Sequence, residues 1–233
     1  MSLRTLLVAS PLLAGPLVLD GDEAHHARTV LRLGTGERIR VADGAGNSAE
    51  AVITQVGKRS VEVLVSTPEH QPLGIAGLLT IAVAPPKGDR LADLVRALTE
   101  LGVGAILPLA TERGERLPVN IERLERIAGE ALKQCRRAHL PVIGPATDIP
   151  ALVRCGTALT VLDRSGRPAA PGTPRAVTLV IGPEGGFTAA ELAALTAGGA
   201  TVARVAEPVL RIETAAIAAA AVWTAAWIKD DSA

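Results

Sequence analysis

The sequence predicts an α/β protein in two parts: a small all-β domain over residues 1–73, then a parallel α/β domain over residues 74–233. Three observations predict it. Before Gly74, apolar and polar residues alternate in short runs separated by Gly- and Asn-containing turns, the period of half-buried strands. After Gly74, short apolar strands alternate with helical stretches, the pattern of a parallel sheet covered on both faces. Hydrophobic residues make up 48% of 233, enough apolar chain to bury a core in each part.

In the first part, Arg38-Ile39-Arg40-Val41 alternates, and Asp43-Gly44-Ala45-Gly46-Asn47 turns the chain because Gly and Asn tolerate positive φ. Ala49, Ala51 and Ile53 resume the alternation, and Val61 to Val65 follows after Gly57-Lys58. This meander predicts a small barrel or sheet. Thr67 to Pro72 reads as a linker. In the second part, Leu79–Ala84 is a strand, and Asp89–Leu101 is a helix with Leu91, Leu94, Val95 and Leu98 on one face. Gly102 caps it. Ala105-Ile106-Leu107 is a strand, and Ile121–His139 a long helix. Ala158–Leu162 and Val177–Ile181 are buried strands. Thr188 with Glu191 three residues on is a capping box opening a helix to Ala197. Val202–Val205 and a final helix, Ile212–Ile228, complete the pattern.

Composition excludes several classes. With 24 basic and 24 acidic side chains there is no bulk field for nucleic acid, so an RNA site must be built from local clusters. Phe187, Trp223 and Trp227 are the only aromatic residues of the Phe, Trp and Tyr set, too few to stack a single strand on a row of rings. Two cysteines argue for a reduced, cytoplasmic protein. The run Thr214–Ile228 is shorter than a membrane span, which needs roughly 20 residues. Arg4 followed by Leu6 to Ala9 imitates a secretory signal, but Pro11 and Pro16 interrupt it. No metal is expected: Cys135 and Cys155 are far apart and outside any C-x-x-C pair, and His25 and His26 are adjacent.

The sharpest local feature is Leu179 to Thr188, where a buried strand runs into Gly182-Pro183-Glu184-Gly185-Gly186 and then a capped helix. In open parallel sheets ligands sit beyond strand carboxyl ends, and glycines let backbone groups approach them. The plain alternative is a turn that reverses the chain. The loop fits neither phosphate-binding fingerprint, so the residues point to a ligand loop without naming the ligand. Glu207 to Ala216 repeats the arrangement, with Arg211 and Glu213 the only charges between Pro208 and Ile228. A solvated first helical turn is the alternative there. The final helix is apolar nearly all round, which predicts burial on several sides, by a second subunit among others.

Basic residues crowd Arg113, Arg116, Arg123, Arg126, Lys133, Arg136 and Arg137, with Arg126, Lys133 and Arg137 on one helical face. Interleaved Glu122, Glu125 and Glu130 make a salt-bridged face the ordinary reading, and the unneutralised Arg136-Arg137 end the better phosphate candidate. Arg28 and Arg32, four apart on one helical face, form a second cluster with Arg38 and Arg40.

Several fragments in order then resemble one family: His25-His26 to Arg32, Lys87 to Arg90, Thr99 to Val103, Thr111 to Arg113, Glu130 to Pro141, Ile181 to Phe187, and Val209 to Ala216. Together they are similar to the RsmE family, the 16S ribosomal RNA uridine-N3 methyltransferases, over nearly the whole chain. The resemblance implies a PUA-like β-barrel that binds rRNA, then a SPOUT-type methyltransferase domain with a C-terminal trefoil knot and a homodimer. It implies S-adenosylmethionine as cofactor, held by Leu162, by Gly182, Pro183, Glu184 and Gly185, and by Val205, Ala206, Leu210, Arg211 and Ile212. It implies methylation of N3 of uridine 1498 in the small ribosomal subunit.

That chemistry needs the N3 proton removed and the anion stabilised. Arg211 is the candidate for the charge, and Glu184 or Glu213 for the proton. Arg28, Arg32, Lys87, Arg113, Arg136 and Arg137 are the candidate RNA contacts. Thr111 stands where the family has Ser, and Cys135-Arg136 where it has Ser-Gly, which changes the local RNA contact. The other readings are a non-catalytic rRNA-binding assembly factor and a SPOUT ribose 2′-O-methyltransferase.

Overall fold

The structure, a computed structural model, describes residues 3–115 and 118–228. Contacts divide it into two units. One runs to Leu73 and also takes in Gly129–Leu140; the other holds Gly74–Ala128 and the chain from Pro141 onward. The stretch Gly129–Leu140, read from the sequence as part of the second domain, therefore clusters with the first.

The first unit contains β1 (Thr5–Leu7), β2 (Gly15–Leu19), α1 (Gly21–His25), β3 (Arg38–Ala42), β4 (Asn47–Val56), β5 (Val61–Val65) and β6 (Glu69–His70). They form one sheet in the order β1-β3-β4-β5-β2, with β6 on β4. Only β1 and β3 run parallel; the other pairs are antiparallel. Alternation sorts the faces: β5 buries Val61, Val63 and Val65 and exposes Glu62 and Leu64. Leu6, Ile39, Val41, Ile53 and Val63 join in its core.

Three expectations are corrected here. The segment read as a linker forms β6, whose residues Glu69 and His70 pair with Ser48 and Asn47. The opening stretch, which imitates a secretory signal in sequence, forms β1 and β2. Arg28 and Arg32 do not share an α-helical face, because His26–Val30 is a π-helical turn and Arg32 takes φ 54.

The returning stretch is bonded into this unit. Lys133 Nζ lies 2.7 Å from Glu23 Oε1 and 2.8 Å from Glu130 Oε1. Burial pushes its ammonium pKa down, but the two carboxylates outweigh that and raise it. Gly46 N donates to Ala138 O and Leu140 N to Gly44 O, both at 2.8 Å. Gly46 has φ 105, and a Cβ there would stand 2.6 Å from the His139 ring. Only glycine permits that approach.

The second unit contains β7 (Leu79–Val83), α2 (Arg90–Glu100), β8 (Ala105–Ala110), α3 (Ile121–Cys135), β9 (Val142–Ile143), β10 (Thr147–Asp148) and α4 (Ile149–Arg154). It continues with β11 (Ala158–Pro168), β12 (Val177–Ile181), α5 (Ala189–Ala197), β13 (Thr201–Arg204) and α6 (Ile212–Trp227). Helix α3 is divided between the units at Gly129. It ends at Cys135, not His139, because Arg136 adopts φ 60, so Arg137 leaves the helical face it was expected to share. Arg116 lies outside the described residues.

The sheet order is β10-β8-β7-β12-β11-β13, with β9 on β8, and its pairings are parallel. All five residues of β12 are buried, as in a strand covered on both faces. The order places successive strands on either side of β7 and β12, and such a switch opens a crevice at the strand carboxyl ends. Leu162 pairs with Ile181 on one side and Ala203 on the other, so the carboxyl ends of β12 and β13 flank Leu162, after which β11 breaks register and runs on to Pro168. Helix α6 buries Ile212, Ala216, Ala219, Ala220, Trp223 and Trp227, and Trp227 Nε1 donates to Gly172 O at 2.7 Å. Among the described residues no helix is long and apolar enough to cross a membrane.

Candidate functional site

The loop after β12 is shaped by its own residues. A Cβ on Gly182 would stand 2.9 Å from the Phe187 ring, so glycine lets the ring close over the strand end. Gly186, at φ 67, donates to Pro183 O at 2.8 Å and completes a turn. Thr188 then caps α5: its Oγ1 accepts from Glu191 N, and its N–H donates to Glu191 Oε2. The other Glu191 oxygen accepts from Glu112 N at 2.7 Å.

Two arginines brace this loop. Arg113 Nη1 donates to Gly185 O at 2.9 Å. Arg90 Nη1 lies 3.5 Å from Glu184 Oε1 and 3.6 Å from Glu213 Oε2, joining the two carboxylates through one guanidinium. Glu213 is 16% exposed, and its Oε2 has no hydrogen-bond donor.

A cleft opens at the carboxyl ends of β12 and β13, beside Leu162 to Arg164 of β11. Leu162, Ile181, Val205, Ala206, Leu210 and Ala215 supply apolar walls. Gly182, Pro183, Gly186 and Phe187 form the loop side, and Glu184, Asp163, Arg164 and Arg204 bring charge. Such a slot, apolar with a few polar groups, suits a small organic ligand.

Of the residues the resemblance assigned to cofactor, Leu162, Gly182, Pro183, Glu184, Val205, Ala206, Leu210 and Ile212 come together around this cleft. Gly185 lines an adjoining polar depression instead. Arg211 is the exposed N-cap residue of α6, between two lining residues but not itself in the wall. Glu213 faces Arg90. Lys87 pairs with Glu115, which raises the lysine's pKa. Arg113 holds the loop through Gly185. Arg28, Arg32, Arg136 and Arg137 lie in the first unit. There Arg40 Nη1 reaches Arg137 O at 3.5 Å. Burial, with Arg136 nearby, lowers the Arg40 pKa from its ordinary value, and burial does the same to Arg137.

The sequence assigns no role to Asp163, Arg164 or Arg204 on the cleft, nor to Arg90 between Glu184 and Glu213. Asp163 and Arg164 follow the predicted strand Ala158–Leu162 and Arg204 lies near the end of Val202–Val205, where the strand-end rule applies equally. Nothing in spacing brings Arg90 to residues 184 and 213.

Comparison with known proteins follows these lines. The RNA methyltransferase domain family matches residues 76–224, and the RNA methyltransferase PUA domain family matches residues 19–66. Ribosomal RNA small subunit methyltransferase E of Mycobacterium tuberculosis is 33% identical, covering 90% of this chain and 87% of that protein. The Bacillus subtilis protein of the same name is 30% identical, covering 84% and 85%. A Legionella pneumophila protein solved with bound cofactor SAM is 28% identical, with a TM-score of 0.83 over 97% of this chain and 99% of that one. Ribosomal RNA small subunit methyltransferase E of Neisseria gonorrhoeae shares the fold at a TM-score of 0.84, covering 97% and 98%, at 24% identity. With the methyltransferase match spanning more than half its length and relatives above 30% identity over most of it, the chain belongs to the ribosomal RNA small subunit methyltransferase E family.

Proposed function

We propose that the protein methylates N3 of a uridine in 16S rRNA, uridine 1498 by family resemblance, with S-adenosylmethionine as donor. The observation that carries this reading is the cleft at the ends of β12 and β13, walled by two separate stretches of chain, 182–187 and 205–212, with α5 and β13 between them. The Legionella relative with bound SAM supports the donor. The match of residues 19–66 to the RNA methyltransferase PUA domain supports RNA binding by the first unit.

Leu162, Ile181, Val205 and Leu210 would hold adenine in the apolar slot, and backbone groups of Gly182, Pro183 and Ala206 would fix its polar edge. The bound donor supplies an electrophilic methyl. Uracil N3 carries a proton at neutral pH and lies on the pairing edge, so the base must leave its pair before it reaches the cleft. Glu184, on the cleft wall, takes that proton. Glu213 acts through Arg90, which fixes the position of Glu184. Arg211, exposed at the rim, stabilises negative charge on the uracil oxygens. Arg28, Arg32, Arg136 and Arg137 bind rRNA phosphates on the first unit, and Lys87 and Arg113 on the second.

The same reading includes closure of the first sheet as a PUA-like barrel, a trefoil knot, a homodimer and a cytoplasmic location. The Trp227 bond to Gly172, in the loop joining β11 to β12, supports a last helix threaded against that loop. The apolar circumference of α6 supports a partner subunit.

The test uses small subunits from a strain lacking this enzyme, incubated with labelled S-adenosylmethionine and digested to nucleosides for mass spectrometry. Label in 3-methyluridine is expected. Label in a 2′-O-methylated nucleoside would assign the ribose chemistry, and no label with no cofactor binding would assign an assembly factor.

A further inference from the structure

We propose that the polar depression beside the methyl-donor cleft seats the backbone of the rRNA strand that carries the target base, with Arg164 and Arg204 each binding a phosphate. This rests on the rRNA methylation proposed above.

The depression is about 690 Å³, within the range of ligand sites. It shares Asp163, Arg164, Gly186, Phe187 and Arg204 with the donor cleft, so whatever occupies it borders the reacting end. A break in strand register shapes it. Ala203 of β13 stands opposite both Leu162 and Arg167 of β11, and Arg204 opposite Pro168, so residues 163–166 bulge out of the pairing and Arg164 lines the depression together with Arg204.

Both arginines are exposed, and neither has a carboxylate within ion-pair distance among the described residues. Carboxylates are at hand, since Asp163 and Glu207 line the same depression. Asp163 is engaged elsewhere: its Oδ1 accepts from Ser165 N at 2.9 Å and Ser165 Oγ at 2.6 Å. Arg96 pairs with Asp93 and Arg123 with Asp89, whereas Arg126, Arg154, Arg167, Arg175 and Arg211 share the unpaired state among the described residues; what sets Arg164 and Arg204 apart is their place on the donor cleft. Two guanidiniums free of an ion-paired carboxylate at the mouth of a reaction cleft suit the fork geometry of phosphate oxygens. The donor's own carboxylate is the rival anion, and the experiment separates the two.

The single variants R164Q and R204Q, the double variant, and R204K are compared with wild type. Calorimetry gives S-adenosylmethionine affinity, and small-subunit binding is measured across a salt series. A thermal unfolding midpoint that matches wild type shows that each variant is folded. The expected result is a fall in subunit affinity of about tenfold for the double variant, and a salt-dependence slope shallower by about 0.7 per arginine removed. R204K, which keeps the charge, retains the slope. An unchanged slope in the double variant overturns the proposal. So does a cofactor affinity that falls as far as the RNA affinity, which would give the arginines to the donor's carboxylate. If wild type itself neither binds S-adenosylmethionine nor methylates, the function reading fails and takes this inference with it. If wild type is active and the variants match it, only this inference fails.

Discussion

Arg113 donates to the carbonyl oxygen of Gly185 at 2.9 Å, tying the segment after β8 to the loop after β12. A residue that reads from the sequence as a phosphate contact thus also holds the shape of the donor cleft. Arg113→Ala is expected to weaken S-adenosylmethionine binding about tenfold, the size of one charge-assisted hydrogen bond. Calorimetry checks this. If only rRNA affinity falls, the loop-bracing role is wrong.

Arg90 joins Glu184 to Glu213. Arg90→Leu leaves two neighbouring carboxylates without their shared cation, one of them largely buried. The turnover number is expected to drop by more than tenfold, with Arg90→Lys recovering part of it. Single-turnover rates at saturating cofactor read this directly, and a change confined to KM would count against the positioning role.

Gly182→Ala places a Cβ 2.9 Å from the Phe187 ring unless the ring moves. Overpacking of this kind costs about 1–3 kcal/mol. Both the denaturation midpoint and cofactor affinity are expected to fall, and Phe187→Leu in the same chain is expected to restore part of the stability. Additive losses in the double variant would show that the two positions do not meet.

Arg136 holds φ 60 at the end of α3, a position glycine takes without strain. Arg136→Gly is expected to stabilise the protein by about 0.5–1 kcal/mol while weakening rRNA binding. Thermal unfolding and a subunit-binding titration give the two signs. A destabilised variant would mean that the side chain's contacts outweigh the backbone strain.

Asp43 carries a pH dependence of stability. Burial pushes its pKa up, but the Asn47 side chain and the backbone N–H groups of Ala45, Asn47 and Leu12 outweigh that and hold it below the ordinary value. A depressed folded pKa contributes stability above the unfolded value, about 3.9, and loses it as pH falls through the folded one. Asp43→Asn is expected to lower stability at neutral pH and to flatten the loss below about pH 4. Denaturant titrations from pH 7 to 3 check it; parallel curves for both proteins would remove Asp43 from the acid transition.

By itself the sequence determined the elements that local chemistry governs. Alternation marked β3, β4 and β5, continuous apolar runs marked β7 and β12, and Thr188 with Glu191 marked the start of α5, because each signal lies within a few residues. It also marked most of the cleft wall, since Gly182 to Glu184 and Val205 to Ile212 adjoin strand ends that periodicity locates. Only the tertiary structure decided which of those ends meet. The pairing of β11 with β12 joins Leu162 to Ile181 and with β13 joins it to Ala203, and the register break after Leu162 puts Arg164 and Arg204 on one depression. The same holds for Arg90 between Glu184 and Glu213, and for the return of Gly129–Leu140 to the first unit. Long-range pairing is chosen by the burial of whole faces, a property of the assembled sheet that no short window of sequence carries.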